Sequence, residues 1–280
     1  CFPINFARIF KGTVLEKRML SILRIGGRVQ KRPISLIAVT LAALVCLPTA
    51  WAVAKEGFSV LVIGDSNTEH GFITINLVDT LTKYLGVASM GSGYLPLDSA
   101  DYSIRAKRHP NITIGYDTAA WKWHDMYEYY RRPLPFLSPN GKWIDCSIAN
   151  VPVTVTFPGN GIDLYWLSDT AGGTFTITID DTLRATVATV GERSVRKTTI
   201  AGLASSVHTM KCAVTSVPES GRVALLGFDA RSDQGGDQKR SVVHTWGNGW
   251  CSSQEFADID SAVFVSGLRE VAPDVVVVLL

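Results

Sequence analysis

The sequence predicts an α/β parallel sheet interrupted by an antiparallel β-sandwich, a jelly-roll-like insert, and three observations predict it. Residues 58–85 and 241–268 each read as strand, tight turn and helix. Val275-Val276-Val277-Val278-Leu279-Leu280 is an unbroken apolar run, the pattern of a parallel strand covered on both faces. Between these regions lie short Thr/Val-rich runs separated by turn signals, as in a sandwich.

Residue 1 is Cys, so 1–18 reads as upstream or fragment sequence and Met19 as the first available start. From there a basic stretch, Arg24 to Arg32, leads into an apolar run from Ile34 to Leu47. Pro48 and two small-x-small sites, Ala50-Trp51-Ala52 and Ala52-Val53-Ala54, follow. That layout predicts a signal peptide over 19–54. The competing reading is an uncleaved anchor, since Ile34–Ala54 is long enough to span a bilayer. Either one expects a secreted, periplasmic or cell-surface protein, with membrane contact only through this segment. Cys46 follows the bulky Val45 and reads as apolar filler rather than a lipid-attachment site.

Phe58 to Ile63 is the first strand, broken by Gly64-Asp65-Ser66-Asn67. Ile75, Val78, Leu81 and Leu85 then recur at helical spacing, with Gly86 as C-cap. The α/β part therefore begins at 55–104. The insert, 105–235, carries runs at Val151–Phe157, Ile162–Leu167, Thr174–Ile179, Arg184–Val190, Val207–Thr215 and Arg222–Phe228. Its turns are Pro158-Gly159-Asn160-Gly161, Ala171-Gly172-Gly173, Asp180-Asp181 and Glu219-Ser220-Gly221. The α/β part resumes over 236–280. Ser241-Val242-Val243-His244 is extended there, Gly247 and Gly249 supply a turn, and Ser252 with Glu255 forms a capping box. That box opens one helix whose inward face is Phe256, Ile259, Val263 and Leu268.

Composition excludes several classes. With 46% apolar and 19% charged residues over 280 positions, the chain buries a substantial core and is neither disordered nor fibrous. The formal charge of +2 conceals an asymmetry. Residues 1–54 hold eight basic residues against Glu16, leaving 19 basic and 24 acidic residues and a net charge of −5 over 55–280. Such a surface disfavours non-specific binding to nucleic acid. The five Cys include no Cys-x-x-Cys pair. An oxidising compartment permits one bridge, and Cys146 with Cys212 is the expected pair, leaving Cys251 over. No His/Asp/Glu spacing points to a metal site, and no cofactor is expected.

The chemistry centres on Ser66. A serine hydroxyl becomes an effective nucleophile where a base reaches it and backbone N–H groups face the developing oxyanion. In an open α/β sheet the cleft lies beyond the carboxyl ends of the strands, which is where Ser66 falls. Gly64 permits the sharp turn, and the Ser66 N–H opens a helix.

Ile63-Gly64-Asp65-Ser66-Asn67 resembles the first block of the SGNH (GDSL-type) hydrolases, serine esterases and lipases with a flavodoxin-like sheet. Thr245-Trp246-Gly247 is similar to the second block, with Thr in place of the usual Asn. Ala272-Pro273-Asp274 and the Val/Leu run resemble the strand that leads into the third, Gly-x-Asn-Asp. The resemblance implies Ser66 as nucleophile and oxyanion donor and Gly247 as a second donor, supported by Gly64, Asp65 and Asn67. It further implies an oxyanion Asn and an Asp-x-x-His, supplying the base and its acid, beyond Leu280. The 280-residue chain is accordingly expected to be inactive by itself. Gly91-Ser92-Gly93-Tyr94-Leu95-Pro96 is similar to the lead-in of members that carry a sandwich insert and act on acylated polysaccharide.

The remaining candidates have structural readings beside functional ones. His70 reads as a helix-start residue, and His244 as a strand end that lines the cleft as a substrate contact. His109, His124 and His208 fall in the insert. Trp121, Trp123, Tyr127, Tyr129 and Tyr130, interleaved with Lys122, Arg131 and Arg132, form either a sugar-stacking surface or packing. Asp180-Asp181 is a hairpin turn rather than a paired-carboxylate site. The expected function is an exported serine esterase that removes acetyl or other acyl groups from carbohydrate, or acts on a small ester. The alternatives are a lipase or thioesterase of the same fold and a non-catalytic carbohydrate-binding surface protein. The oligomeric state is left open.

Overall fold

The computed structural model describes residues 57–85, 91–97, 109–126, 136–232, 241–249 and 253–279. The signal-like segment, Cys46, Gly86, the cluster Tyr127–Arg132, Cys251 and Ser252 lie outside them. In chain order the elements are β1 (Ser59–Gly64), α1 (Ser66–Glu69), α2 (Phe72–Leu85), β2 (Leu95–Pro96), β3 (Thr113–Tyr116), β4 (Lys122–Asp125) and β5 (Lys142–Cys146). Next come β6 (Pro152–Gly159), β7 (Gly161–Ser168), β8 (Thr174–Ile179), β9 (Thr182–Ala188), β10 (Ser194–Ile200), β11 (Ser206–Ser216) and β12 (Val223–Arg231). The last four are β13 (Val242–Gly247), α3 (Ser253–Ala257), α4 (Ser261–Val271) and β14 (Val275–Leu279).

The described strands form three sheets, and among the described residues strand outweighs helix. The first is parallel, in the order β13-β1-β14, and its registers end level: Gly64 stands opposite Gly247 on one side and Leu279 on the other. Asp274 aligns β14 at the opposite end, accepting from the Ser59 N–H at 2.8 Å while its own N–H donates to the Ser59 carbonyl. The other two sheets are antiparallel, β10-β7-β12-β5-β4 with β2 beside β12, and β3-β6-β11-β8-β9. Alternating apolar side chains of β6, β8 and β11 meet those of β5, β7 and β12 between these sheets, including Val153, Phe157, Phe175, Met210 and Phe228.

β7 and β12 are buried on both faces, which explains runs such as Ala224-Leu225-Leu226. Their second face meets Leu61 and Ile63 of β1, Trp246 of β13 and Val263 of α4. Across the parallel sheet, Val60 and Val62 pack on Val78 and Leu81 of α2. Each such burial contributes roughly 1.5–3 kcal/mol, and the unbroken apolar strands supply it on two sides.

Several expectations change. Ile75 lies off the buried stripe of α2, which runs through Thr74, Val78 and Leu81. The single helix expected after Gly249 is two, because Asp260 accepts from the Ala262 and Val263 N–H groups and starts α4 afresh. Ala272 closes α4 in the left-handed conformation at φ 49°. Thr245-Trp246-Gly247, expected as a turn, continues β13. Pairing to the sandwich begins before 105, since Gly91 bridges Arg231 and β2 pairs with β12. Cys146 and Cys212 are buried free thiols in the sandwich core rather than a bridge. Burial raises both pKa values and keeps the sulfurs protonated. Among the described residues no helix is long and apolar enough to cross a membrane.

Candidate active site

Ser66 follows the central strand of the parallel sheet, one residue after the tight turn at Gly64-Asp65. A Cβ on Gly64 would overlap Thr68 Oγ1 and come 2.7 Å from the Leu279 carbonyl, so the strand end is closed to any larger residue. Asp65 caps α1: its Oδ1 accepts from Asn67 N at 2.9 Å, and its carbonyl accepts from Thr68 N and Glu69 N at 3.1 and 2.9 Å. Those bonds leave the Ser66 N–H as the donor of this turn that they do not use. Asn67 is exposed and braces the Asp65 carboxylate through its amide at 3.3 Å. Thus Gly64, Asp65 and Asn67 shape the turn, and Ser66 sits half-buried at its head.

Gly247 and Gly249 play different parts. At the two ends of β13 the N–H groups of Val242 and Asn248 donate to the carbonyls of Phe58 and Gly64, at the two ends of β1. Because N–H direction alternates along a strand, the Gly247 N–H points to the far edge, away from β1. Gly247 instead lets α1 approach: a Cβ there would sit 2.5 Å from Glu69 Cα and 2.6 Å from the Thr68 carbonyl carbon. Gly249 faces Ser66, since its Cβ would stand 3.7 Å from Ser66 Cβ and 2.5 Å from Glu69 Oε2. Sequence reading assigned Gly249 to a turn and to no part of the site, although the Gly-Asn-Gly spacing carried the signal.

A buried charge cluster includes Glu69, at the end of the helix that Ser66 begins. Lys142 of β5 is fully buried, and its ammonium pairs with the Glu69 carboxylate and with Asp125 Oδ2 at 3.3 Å. It also lies 5.7 Å above the ring of Trp123. Trp123, read as either sugar surface or packing, is half-buried over this cation and against the sandwich core. Trp121 is wholly buried, its indole N–H donating to the Val151 carbonyl at 3.0 Å, so it is core packing and presents no face to substrate. His244 is 2% exposed and its Nδ1 accepts from Tyr94 N at 3.0 Å. It fastens the Gly91–Leu97 segment to β13 rather than lining a cleft.

A second serine has a histidine and an aspartate in line with it. Ser206 Oγ lies 3.2 Å from His208 Nε2, and His208 Nδ1 lies 2.6 Å from Asp180 Oδ2. The protonation is wrong for a base, because Nε2 also faces the Ala204 carbonyl at 2.7 Å. A carbonyl only accepts, so Nε2 carries its hydrogen and Nδ1 donates to the carboxylate. Burial pushes the His208 pKa down, but the Ala204 carbonyl and Asp180 outweigh it and hold it above 6.5. The hydrogen bond from His208 and that from the Thr209 N–H hold Asp180 below its ordinary value of 3.8. Asp180 and Asp181, both at positive φ, form the expected hairpin turn between β8 and β9, and the pair ties that turn to β11.

The sign of the pH dependence follows. The histidine's contribution to stability is complete below 6.5 and lost as pH rises through its raised folded value. The aspartate's contribution is complete above 3.8 and lost as pH falls through its depressed one. In an NMR titration His208 should titrate above 6.5, and Asp180→Asn should move that midpoint down. A midpoint at or below 6.5 in the unsubstituted protein would contradict this assignment.

Among the described residues no group of His, Cys, Asp and Glu is arranged to hold a metal ion. No family model matches the chain, and no curated protein matches it. Solved structures do match. A peptidoglycan O-acetylesterase superposes with a TM-score of 0.56 at 16% identity, covering 84% of this chain and 59% of its own. That likeness shows a shared fold, and the chain spans less than two thirds of that esterase's length. Weaker matches include a family two carbohydrate esterase from Clostridium thermocellum, with a TM-score of 0.29, 20% identity, and 39% and 30% coverage of this chain and its own. A two-domain esterase active on acetylated mannans matches with a TM-score of 0.29 at 13% identity, over 33% of this chain and 28% of its own. The structural neighbours thus include carbohydrate and peptidoglycan esterases.

Proposed function

We propose that this protein is an exported serine ester hydrolase of the SGNH type that removes acetyl or similar acyl groups from a carbohydrate polymer. One observation carries the reading: Ser66 heads the turn after the central parallel strand, with Gly249 against it. The strand order β13-β1-β14, with the second and third parallel strands on either side of the first, supports a flavodoxin-like reading of this sheet.

In this mechanism Ser66 Oγ attacks the ester carbonyl carbon, and a base takes its proton as the C–O bond forms. The oxyanion is met by the Ser66 N–H and, in the position assigned by resemblance to Gly247, by the N–H at Gly249. The tetrahedral intermediate expels the sugar oxygen, which recovers the proton, and water then releases acetate from Ser66 by the same steps reversed. Among the described residues no histidine hydrogen-bonds Ser66 Oγ. We assign the sandwich to holding the polymer, and no cofactor enters these steps.

Acetate release from acetylated xylan and from acetylated peptidoglycan should exceed hydrolysis of a long-chain ester such as 4-nitrophenyl palmitate. Faster palmitate cleavage would favour a lipase. Polymer binding with no ester cleavage would favour a carbohydrate-binding surface protein.

A further inference from the structure

One turn of the β-sandwich reaches both halves of the Ser66 rim. Residues 138–142 are locked by Asn140, whose Oδ1 accepts from Ser138 Oγ at 2.6 Å and from Lys142 N at 3.3 Å. Gly141 supplies the positive φ of 72° that the turn needs. From this turn the Asn140 carbonyl accepts from Asn248 Nδ2 at 3.0 Å. The Lys142 ammonium pairs with Glu69. Asn248 precedes Gly249, and Glu69 ends the helix that Ser66 begins, so two catalytic elements on separate strands are gripped by three consecutive residues of a third region. Pro139 abuts α4 as well, since a Cβ on Gly267 would lie 2.5 Å from its Cγ.

Burial makes the grip stiff. Asn140, Lys142 and Asn248 are fully buried, and Glu69 and Asp125 nearly so. An ammonium is tolerated there only with its charge compensated, and its removal would leave two carboxylates facing each other out of water. Hydrogen bonds and ion pairs in such a setting tolerate little displacement.

We propose that Asn140 and Lys142 are positioning residues for the Ser66 centre, Lys142 setting the Ser66 helix through Glu69 and Asn140 setting the Gly249 turn through Asn248. The sandwich then assembles the acyl-transfer geometry besides holding substrate. The catalytic consequence rests on the esterase reading, whereas the mechanical coupling does not.

The test uses the full-length protein with Asn248→Ala and Lys142→Met, read by hydrogen exchange and by kinetics on 4-nitrophenyl acetate. Protection of peptides 64–71 and 245–249 should fall together in Lys142→Met, with peptides of β8 and β11 unchanged. Asn248→Ala, which keeps the Asn248 backbone bond to Gly64, should lower kcat about tenfold to a hundredfold with KM within about twofold. If Lys142→Met does not fold, Asn248→Ala decides alone. Unchanged protection at both peptides together with kcat within about twofold of the unsubstituted protein would overturn the proposal. If the unsubstituted protein cleaves no ester while the two peptides still loosen together, the esterase reading fails and the coupling stands.

Discussion

Ser66→Ala in the full-length protein should lower acetyl-ester turnover by a factor on the order of 10⁴ to 10⁶ and leave the fold intact. The nucleophile leaves a covalent route with no substitute, and the nearest alternative serine with a histidine beside it, Ser206, faces an imidazole whose Nε2 is committed to the Ala204 carbonyl. The structural cost is small. Ser66 is half-buried, and the cap of its helix is made by Asp65 rather than by its own hydroxyl. The expected signature is therefore turnover lost at an unchanged melting temperature, checked by initial rates and thermal unfolding on the same preparation.

The second large effect separates two glycines. Gly247→Ala should cost at least about 1–3 kcal/mol, the usual price of overpacking, because the new methyl meets the backbone of α1 and neither strand nor helix can turn aside. Gly249→Ala meets chiefly the Glu69 carboxylate, at 2.5 Å, with Glu69 Cδ and Ser66 Cβ next at 3.7 Å, so it presses on one ion pair and not on the main chain. It should therefore cost less stability. It should instead lower kcat, because the methyl and the displaced Glu69 both crowd the Ser66 mouth. Thermal unfolding of the two variants beside their kcat values checks the assignment. A destabilised Gly249→Ala with wild-type kcat, and a stable but inactive Gly247→Ala, would return the donor role to Gly247.

The sequence made some features legible and concealed others for physical reasons. β8, Thr174–Ile179, alternates cleanly because one of its faces is buried, and its bounds were readable to the residue. β10 was not readable: Arg196, Lys197, Thr198 and Thr199 mask a strand whose fully buried apolar residue is Val195 and whose support is pairing with β7. β5 was harder still. Lys142-Trp143-Ile144-Asp145-Cys146 is buried throughout, and a strand holding two buried charges contradicts hydropathy until their partners on α1, on β4 and at Arg222 are known.

The site divides along the same line. Ser66 was legible because Gly-Asp-Ser after an apolar strand is a local pattern, fixed by one turn. Gly249 required the approach of the segment after β13 to within 3.7 Å of Ser66 Cβ, and Lys142 required a contact spanning 73 positions to Glu69. His244 and Trp121 were placed near substrate by position and residue type alone. His244 Nδ1 accepts from Tyr94 N, and the Trp121 indole N–H donates to the Val151 carbonyl.

The central claim is that Ser66 is an acylating nucleophile, and covalent capture tests it most directly. The full-length protein is treated with a fluorophosphonate, digested, and the adduct mapped by mass spectrometry. We predict one stoichiometric adduct on the peptide containing Gly64-Asp65-Ser66-Asn67, absent in Ser66→Ala. Modification at another residue, or an unmodified Ser66 in protein that still releases acetate, would contradict the account.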